Sequence, residues 1–485
     1  MDGFLAGQAS LWVQPDGPNT EPKYLGCHTI GDIPEPKGDS TLLWCPDPSQ
    51  VGKYKVKGSF RGEPGVITTS LETDLRKTAD YLEDLADNGC PFPLFVHKVS
   101  CGRRDVFTNY DRSFVLRQVE VTTATLGKLS TRNPADEGES TQSFDLSARE
   151  LMRMFNMEVA RVSVTETEDI TGFAVGGEQR CEGACGVAQK PEDDLYIVSK
   201  ALVGSAGNTA DVLHSENGGV WTVTPADPFI ASMDIQGAVV LSMGRNSRRI
   251  IVGNGKTQAA HPCEIAYSDD EGVTWTKVHV GSTNAEYIFN SNSLCALDRY
   301  HIWVGSNLGR IYFSSDAGES WTVQEAAVIS ATAIMGVSFY DALNGFAVYT
   351  GGQVAITNDG ETWSASLAVS GSASAMGIVA VSEYVAWVVG TDGMFFTKDG
   401  GATWTKRNSY AIGAIDFLND MFGIAAGSGA NGNIYMTIDG GYDWQVLPAI
   451  TNGGFTSVTI LSTKLAYVTG KISGGTGFLG KIIPV

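Results

Sequence analysis

The segment Ser268-Asp269-Asp270-Glu271-Gly272-Val273-Thr274-Trp275 recurs down the last two-thirds of the chain. It returns as Ser314-Ser315-Asp316-Ala317-Gly318-Glu319-Ser320-Trp321, Thr397-Lys398-Asp399-Gly400-Gly401-Ala402-Thr403-Trp404 and Thr437-Ile438-Asp439-Gly440-Gly441-Tyr442-Asp443-Trp444. Degenerate copies end at Trp363 (Asn358-Asp359-Gly360-Glu361-Thr362-Trp363) and at Trp221 (Ser215-Glu216-Asn217-Gly218-Gly219-Val220-Trp221). The six tryptophans are 54, 46, 42, 41 and 40 residues apart. A period near forty residues means stacked supersecondary units, and this restricts the fold more than any other feature of the chain.

The repeat has the chemistry of a tight corner between two strands. An Asp carboxylate accepts from the turn's own backbone N–H groups, and a Ser or Thr hydroxyl does so more weakly. Glycine supplies the positive φ of a reversing chain. The Trp opens the next strand and is expected to bury a large ring between neighbouring units. Six of the ten tryptophans hold this position, which reads as a packing pattern and not as catalysis. Short apolar runs precede the corners, among them Ile250–Gly253, Ile302–Gly305, Trp387–Gly390 and Ile424–Gly427. They suit strands buried on both faces. Further runs such as Met335–Phe339 and Ala414–Phe417 give each unit room for four strands, the content of a propeller blade.

These corners resemble the Asp-box, or BNR, repeat family of sialidases, sortilin-type receptors and photosystem II assembly factor-like proteins. The residues that carry the resemblance are Ser268, Asp270, Gly272 and Trp275; Ser314, Asp316, Gly318 and Trp321; Trp363; Thr397, Asp399, Gly401 and Trp404; and Thr437, Asp439, Gly441 and Trp444. The resemblance implies a β-propeller over residues 166–485, and the strand runs predict seven blades. A strand within Glu158–Val164 or Ile170–Val175 is a candidate to complete the blade whose corner is missing.

Residues 1–165 carry no repeat and read as a β-sandwich or barrel domain. One main helix is expected from Thr73 to Asn88, with a Thr73 cap and Leu75, Ala79, Leu82 and Leu85 on one face. A second, short helix is expected at Ser147, where Ser147-x-x-Glu150 has capping-box spacing. This order of elements is similar in architecture to the tail-tube subunits of long-tailed bacteriophages. That resemblance implies stacked hexameric rings, a virion location after assembly in the host cytoplasm, and a propeller displayed outward.

Composition sets limits. The net charge is −20, from 34 basic and 54 acidic residues, which argues against phosphate-backbone binding. No run of eighteen apolar residues predicts a membrane helix, and Met1–Gln8 lacks the pattern of a secretion signal. Eight cysteines and six histidines show no zinc spacing, although Cys181-x-x-x-Cys185 is a candidate disulfide loop in an oxidising medium. Asp270, Asp316, Asp399 and Asp439 read as braces of their own turns and not as calcium ligands. Glu192-Asp193-Asp194 and the Arg245–Arg249 cluster read as solvated turns. Sialidase chemistry, as that family implies it, needs three converging arginines and a Tyr–Glu pair. Of the seven arginines from Arg180 onward, Arg299, Arg310 and Arg407 fit such a clamp only by stretching, and the Arg-Ile-Pro segment is absent.

The expectation is therefore a mainly β, non-enzymatic structural protein without cofactor or metal. It would assemble with itself and present a propeller face to a host-surface glycan or protein. The alternatives are a sialidase-like glycoside hydrolase or glycan-binding propeller, and a monomeric assembly factor.

Overall fold

The computed structural model describes residues 7–14, 18–30, 65–70, 92–97, 113–125, 141–162, 170–175 and 195–199, and most of 211–485. Six blades are each wound from four consecutive antiparallel strands. In the third blade these are Leu294–Asp298, His301–Gly305, Ile311–Ser314 and Thr322–Gln324. The first strands of the six blades are Ile170–Val175, Ile235–Gly244, Leu294–Asp298, Ile334–Phe339, Ala375–Ala380 and Ile412–Phe417. Each touches the first strand of the next blade, so they line the axis.

The remaining four-stranded sheet is composite. Gly453–Ser462, Leu465–Ile472 and Thr476–Pro484 follow the sixth blade, and the fourth strand is Met157–Val162, from far upstream. It pairs antiparallel with the last strand, from Leu479 opposite Val162 to Pro484 opposite Met157. Gly453–Ser462 touches the first strands of both the sixth and the first blade, so this sheet closes the ring. The last strand of the chain thus pairs with an upstream strand in one sheet, at the place where the ring would otherwise open.

This architecture corrects the expected one. Seven like blades beside a separate sandwich with a main helix are replaced by six self-contained blades and a sheet shared with the N-terminal segment. The described N-terminal strands form one six-stranded sheet, in the order Lys23–Ile30, Gly7–Val13, Phe92–His97, Ser113–Thr125, Thr141–Arg153, Gly65–Ser70. That sheet is not a separate body. Phe95, Val115, Met154 and Met157 share one buried cluster with Met421, Phe422, Ile434 and Met436 of the sixth blade and with Val458 and Phe478 of the composite sheet.

Among the described residues there is no α-helix, and the single helical element is a 3-10 turn at Ser291–Ser293. The helix expected at Ser147 is instead the strand Thr141–Arg153, in which Ser147 lies opposite Glu120. The physical reason is the partner strand Ser113–Thr125: its long ladder satisfies the backbone groups that a capping box would otherwise serve. Thr73–Asn88, expected as the main helix, lies outside the described residues.

Burial follows the apolar runs. Gly345–Tyr349, Ala386–Gly390 and Gly423–Gly427, the second strands of three blades, are buried at every residue. The largest rings in the core are Trp303 and Trp387, both at 0% exposure and both on second strands. Trp303 stacks on Phe339 of the next blade, with centroids 3.5 Å apart. The corner tryptophans Trp275, Trp321, Trp404 and Trp444 are only partly buried. Trp221 and Trp363 are buried, and Trp363 Nε1 donates to Gln324 Oε1 of the preceding blade (3.1 Å), so second-strand and corner rings both join blades.

Candidate functional site

The corners sit between the third and fourth strands, so all lie on one face of the ring. In the second blade the Ser268 hydroxyl donates to Asp270 Oδ1 (2.8 Å) and accepts from the Gly272 amide (2.8 Å). Asp270 Oδ1 also accepts from the Thr274 amide (2.8 Å), and Oδ2 accepts from its hydroxyl (2.6 Å). Ser314, Asp316, Gly318 and Ser320 repeat these bonds, as do Thr397, Asp399, Gly401 and Thr403. The turn needs two successive left-handed residues: Glu271 and Gly272 (φ 59° and 83°), Ala317 and Gly318 (59° and 86°), Gly400 and Gly401 (68° and 85°). The copy ending at Trp363 is one residue shorter and has a single left-handed residue, Gly360. It keeps the Thr357–Asp359 and Thr362–Asp359 bonds.

These bonds explain the acidity of the corners. Hydrogen bonds from Thr274 hold Asp270 below the usual carboxylate range, and bonds from Thr362 hold Asp359 lower still. For Asp316 and Asp399 partial burial pushes upward, and bonds from Ser320 and Thr403 outweigh it. Both oxygens of each carboxylate face donors of its own turn, so the arrangement braces a corner. The sixth corner departs from this pattern. Asp439 is fully buried, and burial raises it to about 7.

The opposite face carries the polar groups that reach the axis. Near its beginning each inner strand except the third blade's slips register against its neighbour, at Ile170/Gly172, Ile235/Ala238, Ile334/Gly336, Ala375/Gly377, Ile412/Ala414 and, in the composite sheet, Phe455/Ser457. Such bulges leave one residue outside the ladder. The third blade has the Ser291–Ser293 turn in this place, capped by Asn290, whose side chain accepts from the Asn292 amide (3.0 Å). Asn292 Nδ2 donates to the carbonyls of Met376 (3.1 Å) and Gly413 (3.5 Å). Ser291 Oγ donates to the Thr456 carbonyl (3.2 Å), and Ser293 Oγ to that of Ile334 (2.9 Å). Met376, Gly413 and Thr456 are the bulged residues themselves. One short turn thus crosses the axis and satisfies carbonyls that the bulges released. A Cβ on Gly377 would lie 2.9 Å from Asn292 Nδ2, so glycine is what permits the approach.

Beside this turn lies a buried carboxylate network. Glu286 is at 0% exposure. Its Oε1 accepts from Ser306 Oγ (2.7 Å) and Tyr312 OH (2.7 Å), and its Oε2 from Arg310 Nη1 (2.9 Å). Burial and the Glu286 carboxylate both push the Tyr312 phenol upward. Cys263 nearby is raised by burial and by the charges of Glu286 and Glu264, so its thiol stays protonated and unreactive. The connecting backbone is pinned as well, with Tyr287 N donating to Asn307 Oδ1 (2.8 Å) and Asn307 N to the Tyr287 carbonyl (2.9 Å). A Tyr–Glu pair beside an arginine is present, yet both reacting atoms are enclosed, and the arginine binds the glutamate. The network holds loops in place. Glu286 and Tyr312 are 26 residues apart with no local pattern between them, so the sequence carries no signal of the pair.

The three arginines proposed for a clamp have separate partners. Arg299 lies over the Tyr300 ring, Arg310 binds Glu286, and Arg407 Nη2 donates to the Asn19 carbonyl (3.2 Å). The Arg245–Arg249 cluster, expected as a solvated tip, is corrected at Arg249. That residue is buried, pairs with Asp269 through Nε and Nη2 (2.7 Å each), and reaches the third corner at Glu319 (3.0 Å) and the Ala317 carbonyl (3.2 Å). It joins two blades. Cys181, Cys185 and Glu192–Asp194 lie outside the described residues.

No protein-family model and no curated protein sequence matches the chain. Among solved structures, a catalytically inactive virginiamycin B lyase from Staphylococcus aureus with quinupristin is similar at 12% identity and TM-score 0.51, over 68% of this chain and 100% of that one. YCF48 bound to D1 peptide is similar at 14% identity and TM-score 0.49, over 69% of this chain and 99% of that one. The WD40 propeller domain of Doa1 follows at 12% identity and TM-score 0.46, over 68% and 95%. The chain is a β-propeller protein. The neighbours include enzymes and non-enzymes, and at this identity they speak for the fold alone.

Proposed function

We propose that the chain is a non-enzymatic structural and interaction protein that uses its propeller as a rigid platform. The observation that carries this reading is the Ser291–Ser293 turn, which fills the axial position at one channel mouth with main chain, Ser and Asn. The Glu286 carboxylate beside it is enclosed and paired, and the corner carboxylates on the other face brace turns. Recognition then falls to the loops between blades, and a host-surface glycan or protein is the ligand class we propose for them.

The N-terminal sheet is the assembly element in this proposal. Among the described residues it ends in Lys23–Ile30 on one side and Gly65–Ser70 on the other. These two end strands also approach each other, so pairing with a second copy would need them to part or to use their outer ends. In its most specific form the proposal makes the chain a tail-tube subunit with the propeller outward; the comparisons lend nothing to that placement. Negative-stain microscopy of the purified protein, with light scattering, tests the assembly. Rings or tubes support it, and a strict monomer overturns it in favour of an assembly factor that acts alone. Turnover of a fluorogenic sialoside would overturn the non-enzymatic reading.

A further inference from the structure

In blades three to six the first hairpin turns on the corner face, and its turn is built the same way each time. Tyr300 N donates to Asp298 Oδ1 (2.7 Å), Leu343 N to Asp341 Oδ1 (2.9 Å), Tyr384 N to Ser382 Oγ (3.2 Å) and Met421 N to Asn419 Oδ1 (3.0 Å). One main-chain bond ties each turn to the corner of its own blade. The amides of Ala317, Gly360, Gly400 and Gly440 donate to the carbonyls of Arg299, Leu343, Tyr384 and Met421. Tyr300, Leu343, Tyr384 and Met421 therefore hold one equivalent place in four consecutive blades, and all four are large and mainly apolar.

The surroundings of that place change around the ring. Met421 is at 0% exposure and packs in one cluster with Phe95, Val115 and Met154 of the N-terminal region. In the composite sheet the place belongs to Lys464, whose amide donates to Ser462 Oγ (3.2 Å) and whose Nζ lies over the Phe155 ring (5.3 Å). The N-terminal region thus occupies the place in two consecutive sheets. On blades three, four and five it is bare: Tyr300 is 43% exposed, Leu343 54% and Tyr384 57%. A single exposed ring needs no explanation, but an apolar position that is covered on one arc of the ring and open on the next calls for a cover.

We propose that the corner face of blades three to five is a docking surface for a basic polypeptide partner, whose apolar side chains cover Tyr300, Leu343 and Tyr384. Charge selects the partner. Glu361 and Glu383 are exposed on these corners and turns, and the exposed corner carboxylates Asp316, Asp359 and Asp399 are bonded within their turns in the charged form. Glu319 is exposed as well and is paired with Arg249 of the second blade. Among the described residues of these three corners and first turns the fixed cations are Arg299 and Lys398, and Arg299 lies over the Tyr300 ring (4.7 Å). A second copy brought face to face would set carboxylates against carboxylates, which opposes association. A basic partner meets complementary charge at the rim, around an apolar centre in which tyrosine is a frequent anchor. The surface lies on the face away from the axial turn, so it is additional to the loop-borne recognition proposed above.

Arrayed short peptides in which Lys or Arg alternates with Leu, Phe or Tyr, beside the same peptides with Glu for every basic residue, test the surface with the purified full chain. The basic set should bind, the acidic set should not, and added salt should weaken the binding. For the strongest binder, Leu343→Ser and Tyr384→Ser should each weaken affinity by about tenfold. Tyr410→Ser, at an exposed tyrosine in the connection between blades five and six on the other face, should leave it unchanged. Hydrogen exchange of the unmodified chain with that peptide bound should show new protection over residues 298–301, 340–344 and 381–385, which decides the matter even if a variant fails to fold. No preference for basic peptides, new protection only elsewhere, or unchanged affinity in Leu343→Ser overturns the proposal. So does a loss of self-association in Tyr384→Ser by light scattering, which would make a second copy the occupant.

Discussion

The Asn292 side-chain amide donates to the Met376 carbonyl at 3.1 Å, from the third blade to the fifth. This bond ties inner strands that are not neighbours. It makes the axial turn a cross-brace of the ring, in addition to a cover for the channel mouth.

Asn292→Ala leaves the released carbonyls of Met376 and Gly413 without their donor in a part-buried setting. The expected loss is about 1–3 kcal/mol of unfolding free energy, the usual cost of an unsatisfied buried group. Urea unfolding of the full chain measures it. Asn292→Asp should be worse than Ala, since it sets a carboxylate against carbonyl oxygens.

Trp303 and Trp321 separate second-strand packing from corner packing. Trp303→Ala empties a site at 0% exposure that stacks on Phe339, and should cost about 3–5 kcal/mol. Trp321 is partly buried and bonds the Gly318 carbonyl of its own corner at 3.1 Å. Its alanine variant should lose clearly less. Equal losses in denaturant titrations would show that the corner rings carry as much of the adhesion.

Arg249 binds two acidic residues of different blades, Asp269 and Glu319. Arg249→Lys keeps the charge but cannot supply the two-nitrogen contact to Asp269 or reach both partners. It should lower the melting temperature nearly as far as Arg249→Ala does. Full rescue by Lys would reduce the tie to a simple charge effect.

The sixth corner and the other corners oppose each other in pH. Asp270, Asp316, Asp359 and Asp399 are held below the ordinary carboxylate range when folded. Their contribution is present above about pH 4 and is lost as pH falls through the folded values. Asp359→Ala should therefore lower the melting temperature at pH 7 and have a much smaller effect near pH 2. Asp439, raised to about 7, has the reverse sign. Asp439→Asn should gain stability relative to the unmodified chain as pH rises from 5 to 8. Calorimetry across that range measures both slopes.

What the sequence determined by itself was the corner. Its bonds join residues two to four apart, such as Thr403 to Asp399 and Gly401 to Thr397, and its glycines answer a local need for positive φ. Chemistry of that range is written in consecutive residues, and a forty-residue period follows from repeating it. The apolar second strands were legible for the same reason, since burial on both faces leaves an unbroken apolar run.

Only the tertiary structure decided the rest, because the partners are distant in the chain. Met157–Val162 completes a sheet with residues more than three hundred positions away. Ser147 lies in a strand because Ser113–Thr125 offers it a ladder. Asn292 finds Met376 and Gly413 only once inner strands converge on the axis, and Glu286 finds Tyr312 only across a loop. Asp439 looks like its counterparts in sequence, apart from Asp443 downstream. It becomes different when Asn19 and Gln14 bond its main-chain carbonyl and it is buried, since the energy of a carboxylate depends on how much water remains around it.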